Sequence, residues 1–201
     1  MIWNEILCLG DSITYGARDE QGRSFPAELG KILTSRTDEV FYCHNHGICG
    51  ETSSDLLRRV WNNVRSNTNC KLATLMIGTN DTQIPITEEI YEDNLRQIIN
   101  CLKIHGMQVI LCTLPELGFT PLYLKNLNYI SIYNNVIFRL AREMSLSVCD
   151  MRGTEQYYVD GVHYTHTGYK VLAERIANTI FEGWVEETGY SDGWGGGYPN
   201  G

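Results

Sequence analysis

Gly10-Asp11-Ser12 ends the first hydrophobic run of the chain, and Asp160-Gly161-Val162-His163 stands just before the last helical stretch. A serine hydroxyl is a weak nucleophile until a base takes its proton. His163 is the best base in the sequence, because nearby Asp160 can accept its Nδ1 proton and fix the tautomer. A tetrahedral intermediate then needs hydrogen-bond donors. Two further junctions, Cys49-Gly50-Glu51-Thr52 and Gly78-Thr79-Asn80-Asp81, offer them. The expected oxyanion donors are the backbone N–H groups of Ser12 and Gly50 and the side-chain amide of Asn80. Glycine suits position 50, since a missing Cβ lets the backbone approach a ligand closely.

Strands and helices must bring these groups together. Ile6–Leu9, Val40–Cys43, Leu72–Ile77, Val109–Cys112 and Leu146–Cys149 read as strands. Apolar residues at helical spacing lie between and after them: Phe25, Leu29, Ile32 and Leu33; Leu57, Val60, Trp61 and Val64; Tyr91, Leu95, Ile98 and Leu102; Val136, Ile137, Leu140 and Met144; Tyr169, Leu172, Ala173, Ile176 and Ile180. Thr87-Glu88-Glu89 opens the third of these helices, and Lys103, His105 and Gly106 close it. Alternating strands and helices predict an α/β fold with a five-stranded parallel sheet. Ligands of such sheets bind beyond the carboxyl ends of the strands. Ser12, Gly50, Asn80, Asp160 and His163 all fall there. Each motif alone is ordinary turn or capping chemistry; their joint occurrence at matching junctions is what argues for a site.

Length and charge exclude some functions. The 201 residues suit one domain, expected over residues 1–187. Residues 188–201 form a Gly-rich tail, with six glycines from Gly189 onward. A net charge of −8 argues against nucleic acid or an anionic membrane as partner. No apolar stretch is long enough to span a bilayer, and no signal peptide precedes the first strand. Seven cysteines show no CxxC and no metal spacing; Cys8, Cys43, Cys112 and Cys149 fall in or beside the expected strands and read as apolar core residues, and the odd count without a framework favours a reducing compartment, the cytoplasm.

The motif order resembles the SGNH hydrolases, also called the GDSL esterase and lipase family. The likeness runs from Ile6 to about Phe181. It is carried by Leu9-Gly10-Asp11-Ser12-Ile13-Thr14-Tyr15-Gly16, Gly47-Ile48-Cys49-Gly50-Glu51-Thr52, Ile77-Gly78-Thr79-Asn80-Asp81 and Asp160-Gly161-Val162-His163. The family's serine, glycine, asparagine and histidine map onto Ser12, Gly50, Asn80 and His163. Cys49 stands where relatives often have serine, and Tyr164 where proline is common. The resemblance implies a flavodoxin-like three-layer α/β/α sandwich. It implies a serine esterase acting through an acyl-enzyme on carboxylic esters or thioesters, including O-acetyl groups on sugars. No cofactor and no metal are expected, and the partner is a small-molecule acyl ester.

Other residues have weaker claims. Asp11 is too close in sequence to Ser12 to stand behind His163. Asp81 is expected to order its own turn. His44-x-His46 lacks a spaced acidic or cysteine partner, which argues against metal. His166 is expected to help start the last helix. Cys49 sits beside the site as a structural or a reactive thiol. The insertion from Leu114 to Asn128 carries Leu117, Phe119, Leu122, Tyr123 and Leu124, which either line a pocket or cap the core. Two other functions use the same sequence: a non-catalytic glycan- or lipid-binding module on this fold, and an O-acyltransferase.

Overall fold

The computed structural model describes residues 4–84, 86–118 and 127–188. The Gly-rich segment and most of the long insertion lie outside the described residues. The strands are β1 (Glu5–Gly10), β2 (Tyr42–Gly47), β3 (Leu72–Met76), β4 (Gln108–Cys112) and β5 (Ser147–Cys149). All neighbouring strands pair in parallel, in the order β2-β1-β3-β4-β5. This is the flavodoxin-like strand order, whose switch point lies beside β1. The helices are α1 (Ser12–Tyr15), α2 (Phe25–Arg36), α3 (Ser53–Ser66), α4 (Glu88–Ile104), α5 (Leu127–Met144) and α6 (His166–Thr188). Helix α2 packs with α6, while α4 packs with both α3 and α5, so each face of the sheet carries a helical layer.

Burial explains why the central strands were legible. Ile6, Leu7, Cys8 and Leu9 of β1 are wholly inaccessible, as are Leu72, Ala73, Thr74, Leu75 and Met76 of β3 nearly so. A strand covered on both faces reads as an unbroken apolar run. Each fully buried leucine or isoleucine contributes about 1.5–3 kcal/mol. Strand β2 differs from expectation. The apolar run Val40–Cys43 only begins it, and the strand continues through His44, Asn45 and His46 to Gly47. The cause is its place at the edge: Val40 and Tyr42 are exposed, and ladder pairing with β1 from Glu5↔Tyr42 to Gly10↔Gly47 sets its length. An edge strand needs no two-sided apolar coat.

Local signals hold the helix ends. Thr52 and Asp55 form a reciprocal capping box at α3. Thr87 caps α4, and Gly106 with φ +76° lets the chain leave it. No described helix is long and apolar enough to cross a membrane.

Candidate active site

Ser12 opens α1 directly after β1. Asp11 caps that short helix, its Oδ1 accepting from Ile13 N at 2.9 Å. Two close approaches permit the sharp turn. A Cβ at Gly10 would lie 2.3 Å from the carbonyl oxygen of Met76, and one at Gly47 would lie 2.2 Å from Tyr15 N. Glycine at both positions lets β1, β2 and the serine turn meet.

His163 comes from the far end of the chain, on a tight hairpin. Tyr158 and Tyr164 bridge in antiparallel fashion, and Val159 N donates to His163 O at 2.8 Å. Asp160 organises the tip. Its Oδ1 accepts from Val162 N at 3.1 Å and from His163 N at 2.9 Å. Its Oδ2 lies 2.8 Å from His163 Nδ1. Gly161 turns with φ +89°, and its carbonyl accepts from Gly118 N at 2.7 Å. The hairpin is therefore braced by the loop after β4. His163 Nε2 stands 2.9 Å from Ser12 Oγ. Donation from Nδ1 to the carboxylate leaves Nε2 free to accept the serine proton. Burial raises the Asp160 carboxyl, but the backbone N–H and ring of His163 outweigh it and hold the group below its ordinary value. It is thus an anion wherever a neutral imidazole can work. Arg18 Nε lies 3.6 Å from the same carboxylate, at an exposed rim.

Ser12, Gly50, Asn80 and His163 line one cleft of about 480 Å³, together with Tyr15, Arg18, Cys49 and Gln83. Gly50 adopts φ +82°, and a Cβ there would meet no atom of the described residues within 4 Å. Among the described residues, then, it is the left-handed backbone that calls for glycine here. Asn80 begins a 3-10 turn after β3, and its Nδ2 donates to Glu51 O at 2.9 Å. A primary amide has two N–H groups, so one remains for a ligand. The same bond ties Asn80 to the Gly50 loop.

Several supporting groups escaped sequence reasoning. Asp81 reaches beyond its own turn. It is fully buried and accepts from Ser53 N at 2.9 and 3.1 Å and from Ser53 Oγ at 2.5 Å. Asn94 completes this network by donating to Ser53 Oγ at 2.9 Å. Asp81 thus anchors the start of α3, three residues beyond Gly50. Arg59 of α3 pairs with Glu51 and donates to His46 O at 2.9 Å and Gly10 O at 3.3 Å. It gathers the ends of β1 and β2 beside the cleft. Nothing in the spacing of Arg59 marks it, because its partners come from three different segments.

The remaining candidates separate. His46 bonds Asn63 and Asn67 of the α3 region, and burial with the nearby Arg59 charge lowers its pKa. His44 faces Glu5 instead. His166 N donates to Glu20 Oε2 at 3.3 Å and its ring meets Asp19 Oδ2 at 3.1 Å, which ties the first turn of α6 to the loop after α1. Cys49 is exposed at the cleft, but burial and the charge of Asp11 raise its thiol, so it is not activated. Of the insertion, Leu114 and Leu117 are buried in the core; Phe119, Leu122, Tyr123 and Leu124 lie outside the described residues.

Asp11 carries a cost. It is buried, its Oδ2 has no partner in good hydrogen-bond geometry among the described residues, and its carboxyl is pushed up to about 7 although Ile13 N–H and the Thr79 side chain pull it down. Burial is the main cause; Asp81 adds to it, while the Ile13 N–H opposes it. The folded state therefore holds a proton that the unfolded chain releases near 3.8. That contribution to stability is complete below 3.8 and is lost as pH rises to about 7. Asn at this position keeps the Oδ1 cap and removes the charge. Asp11→Asn is expected to recover stability on the order of a few kcal/mol at pH 8 and little at pH 4. Urea unfolding of both proteins at the two pH values checks this; a gain equal at both would show that burial of charge is not the cause.

The family model for GDSL-like Lipase/Acylhydrolase matches residues 8–171. No curated protein matches the chain. Among solved structures, a lipase/acylhydrolase from Enterococcus faecalis is similar at 24% identity and TM-score 0.76, over 88% of this chain and 95% of that one. A catalytic mutant of an acetylxylan esterase from Geobacillus stearothermophilus is similar at 22% identity and TM-score 0.75, over 88% and 94%. A carbohydrate acetylesterase family member from Sinorhizobium meliloti is similar at 19% identity and TM-score 0.75, over 89% and 98%. These likenesses agree with the parallel three-layer fold. The match across most of the chain makes this protein a member of the GDSL-like lipase/acylhydrolase family, an enzyme of the carboxylic ester hydrolase type.

Proposed function

We propose that the enzyme hydrolyses short acyl esters, in particular O-acetyl groups on sugars, through an acyl-enzyme formed on Ser12. The observation that carries this reading is the chain of contacts Ser12 Oγ–His163 Nε2–His163 Nδ1–Asp160 at 2.9 and 2.8 Å. Ser12 Oγ attacks the ester carbonyl carbon as Nε2 takes its proton. The oxygen gains negative charge facing Ser12 N, Gly50 N and Asn80 Nδ2. Collapse breaks the C–O bond, and the imidazolium returns the proton to the departing alcohol. Water repeats the sequence to release the acid. A wide cleft with Arg18, Asn80 and Gln83 at its walls suits a polar alcohol portion. The acetylesterase names among the structural neighbours favour the acetyl group. The seven cysteines, all free, support a reducing compartment.

Release of acetate from peracetylated sugars, compared with 4-nitrophenyl esters of increasing chain length, tests the substrate class. The expected result is a steep fall in kcat/KM beyond short acyl chains; a preference for long chains would overturn the acetyl assignment. The serine route supplies its own nucleophile, so turnover of 4-nitrophenyl acetate is expected to survive EDTA followed by gel filtration. Loss of kcat restored by zinc or manganese, in protein whose melting shows it still folded at the assay temperature, would overturn the serine route.

Asn80 is the assigned side-chain donor. Its contact strengthens as the carbonyl oxygen becomes charged, which lowers the barrier rather than tightening substrate binding. Loss of one such donor costs about 2.7–4 kcal/mol, or roughly a hundred- to a thousand-fold in kcat. Asn80→Ala is expected to show that fall with a smaller change in KM. The variant also loses the bond to Glu51 O, so melting is measured on the same preparation. Near-normal kcat in the folded variant would remove Asn80 from the oxyanion site.

A further inference from the structure

A second cluster of reactive side chains lies at the opposite end of the sheet from Ser12. Glu5 is the first residue of β1, His44 the third of β2, and Cys70 leads into β3. Register pairs Glu5 with Tyr42 and Leu7 with His44, which puts Glu5 and His44 on one face. His44 Nε2 and Glu5 Oε2 are 3.0 Å apart. With one ligand atom each from Glu5, His44 and Cys70, all lie within 4.8 Å of one another. We propose that Glu5, His44 and Cys70 form a site for a divalent transition-metal ion of the zinc type.

The donor set fits such an ion. Thiolate, imidazole and carboxylate are the three ligand classes of zinc, at about 2.0–2.3 Å. Tetrahedral angles at those lengths place ligand atoms ~3.3–3.7 Å apart, so the arrangement needs side-chain adjustment and no rebuilding of the backbone. One thiolate and one carboxylate balance the dication. Cys70 is buried, whereas Glu5 and His44 are about a third exposed, which gives an ion a path in and leaves a fourth position for water. Two features of the surroundings favour positive charge and fixed ligands. Cys70 N donates to Asn67 O at the end of α3, where the helix presents its partial negative charge. Asn69 Nδ2 lies 3.3 Å from Glu5 Oε1 and holds the carboxylate from its other side. The sequence concealed the site because His44-x-His46 looked like a pair without partners. The partners come across the sheet, from β1 and from the turn before β3, and His46 is not among them.

The ion's role is to clip edge strand β2 to β1 and to the α3–β3 turn. Its readouts are therefore binding and melting, both independent of ester hydrolysis. The full chain is stripped with EDTA, gel-filtered and titrated with Co²⁺ and Zn²⁺. One Co²⁺ per chain is expected, with a thiolate-to-cobalt charge-transfer band and the intense visible bands of tetrahedral cobalt. The charge-transfer band should vanish in Cys70→Ser and persist in Cys49→Ser, whose exposed thiol is the main competitor. Saturating Zn²⁺ should raise the melting temperature of the wild type by several degrees. Glu5→Gln and His44→Asn, at partly exposed positions, should each weaken zinc by more than the ~10–100-fold typical of losing an outer-shell partner. These two variants decide the matter if Cys70→Ser does not fold. Absence of a zinc-dependent melting shift, a band that survives in Cys70→Ser, or unchanged affinity in Glu5→Gln and His44→Asn would each overturn the proposal.

Discussion

Ser12→Ala is expected to lower kcat by about 10⁵–10⁶-fold while the protein stays folded. The fall is large because the proposed serine and histidine act as one unit. Without Oγ no acyl-enzyme forms, and the histidine has nothing to activate except water. Some acceleration over solution should persist, since the proposed oxyanion donors and the walls of the cleft remain. The fold should tolerate the change. Ser12 contributes its backbone carbonyl to the α1 turn, accepting from Gly16 N and Ala17 N, and alanine keeps both bonds. Among the described residues the hydroxyl bonds His163 alone, whose side chain water can reach. A fluorophosphonate supplies a direct reading. It should add once per chain, on a peptide containing Ser12, and not at all to Ser12→Ala. A variant that retains turnover, or a label on another serine, would sink the assignment.

How much of this was legible depends on what each residue answers to. The runs of β1 and β3 were plain because two-sided burial leaves them almost wholly apolar, Thr74 being the one polar side chain between Leu72 and Met76. The edge strand β2 was not, since its extent follows pairing with β1 and its outer positions tolerate Tyr42, His44 and His46. The junctions carrying Ser12, Gly50, Asn80, Asp160 and His163 stood out because turns demand a narrow set of residues, and chemistry demands an overlapping set. The support beneath them did not stand out. Asp81 reaches back to Ser53 across 28 positions, and Arg59 serves Glu51, His46 and Gly10 together. Such contacts have no period and no fixed spacing, so only the folded chain brings them to view.

Asp160 and Asp81 make the sharpest contrast, because both are acids at junctions of the proposed site, and the sequence favours Asp160 for its place beside His163. Asp160→Asn is expected to reduce kcat by about 10²–10⁴-fold with little loss of stability. Asparagine can keep its Oδ1 as acceptor for Val162 N and His163 N, so the hairpin tip survives. Its Nδ2 then faces His163 Nδ1 as a donor. The ring must answer by accepting at Nδ1 and carrying its proton on Nε2, where it points at Ser12 Oγ and cannot receive the hydroxyl proton. The lower end of the range reflects the partial exposure of Asp160, which lets water replace some of the lost charge. Asp81→Asn should behave in the opposite way. Its carboxylate accepts three contacts from Ser53 in a buried setting, and an amide there turns one acceptor into a donor facing donors. The expected loss is about 1–3 kcal/mol of stability, with most turnover kept in the folded fraction. Steady-state kinetics and urea unfolding on both variants separate the roles. A catalytic collapse in Asp81→Asn beside a nearly normal Asp160→Asn would reverse them, and His163 would then have to draw its orientation from the backbone of its own hairpin.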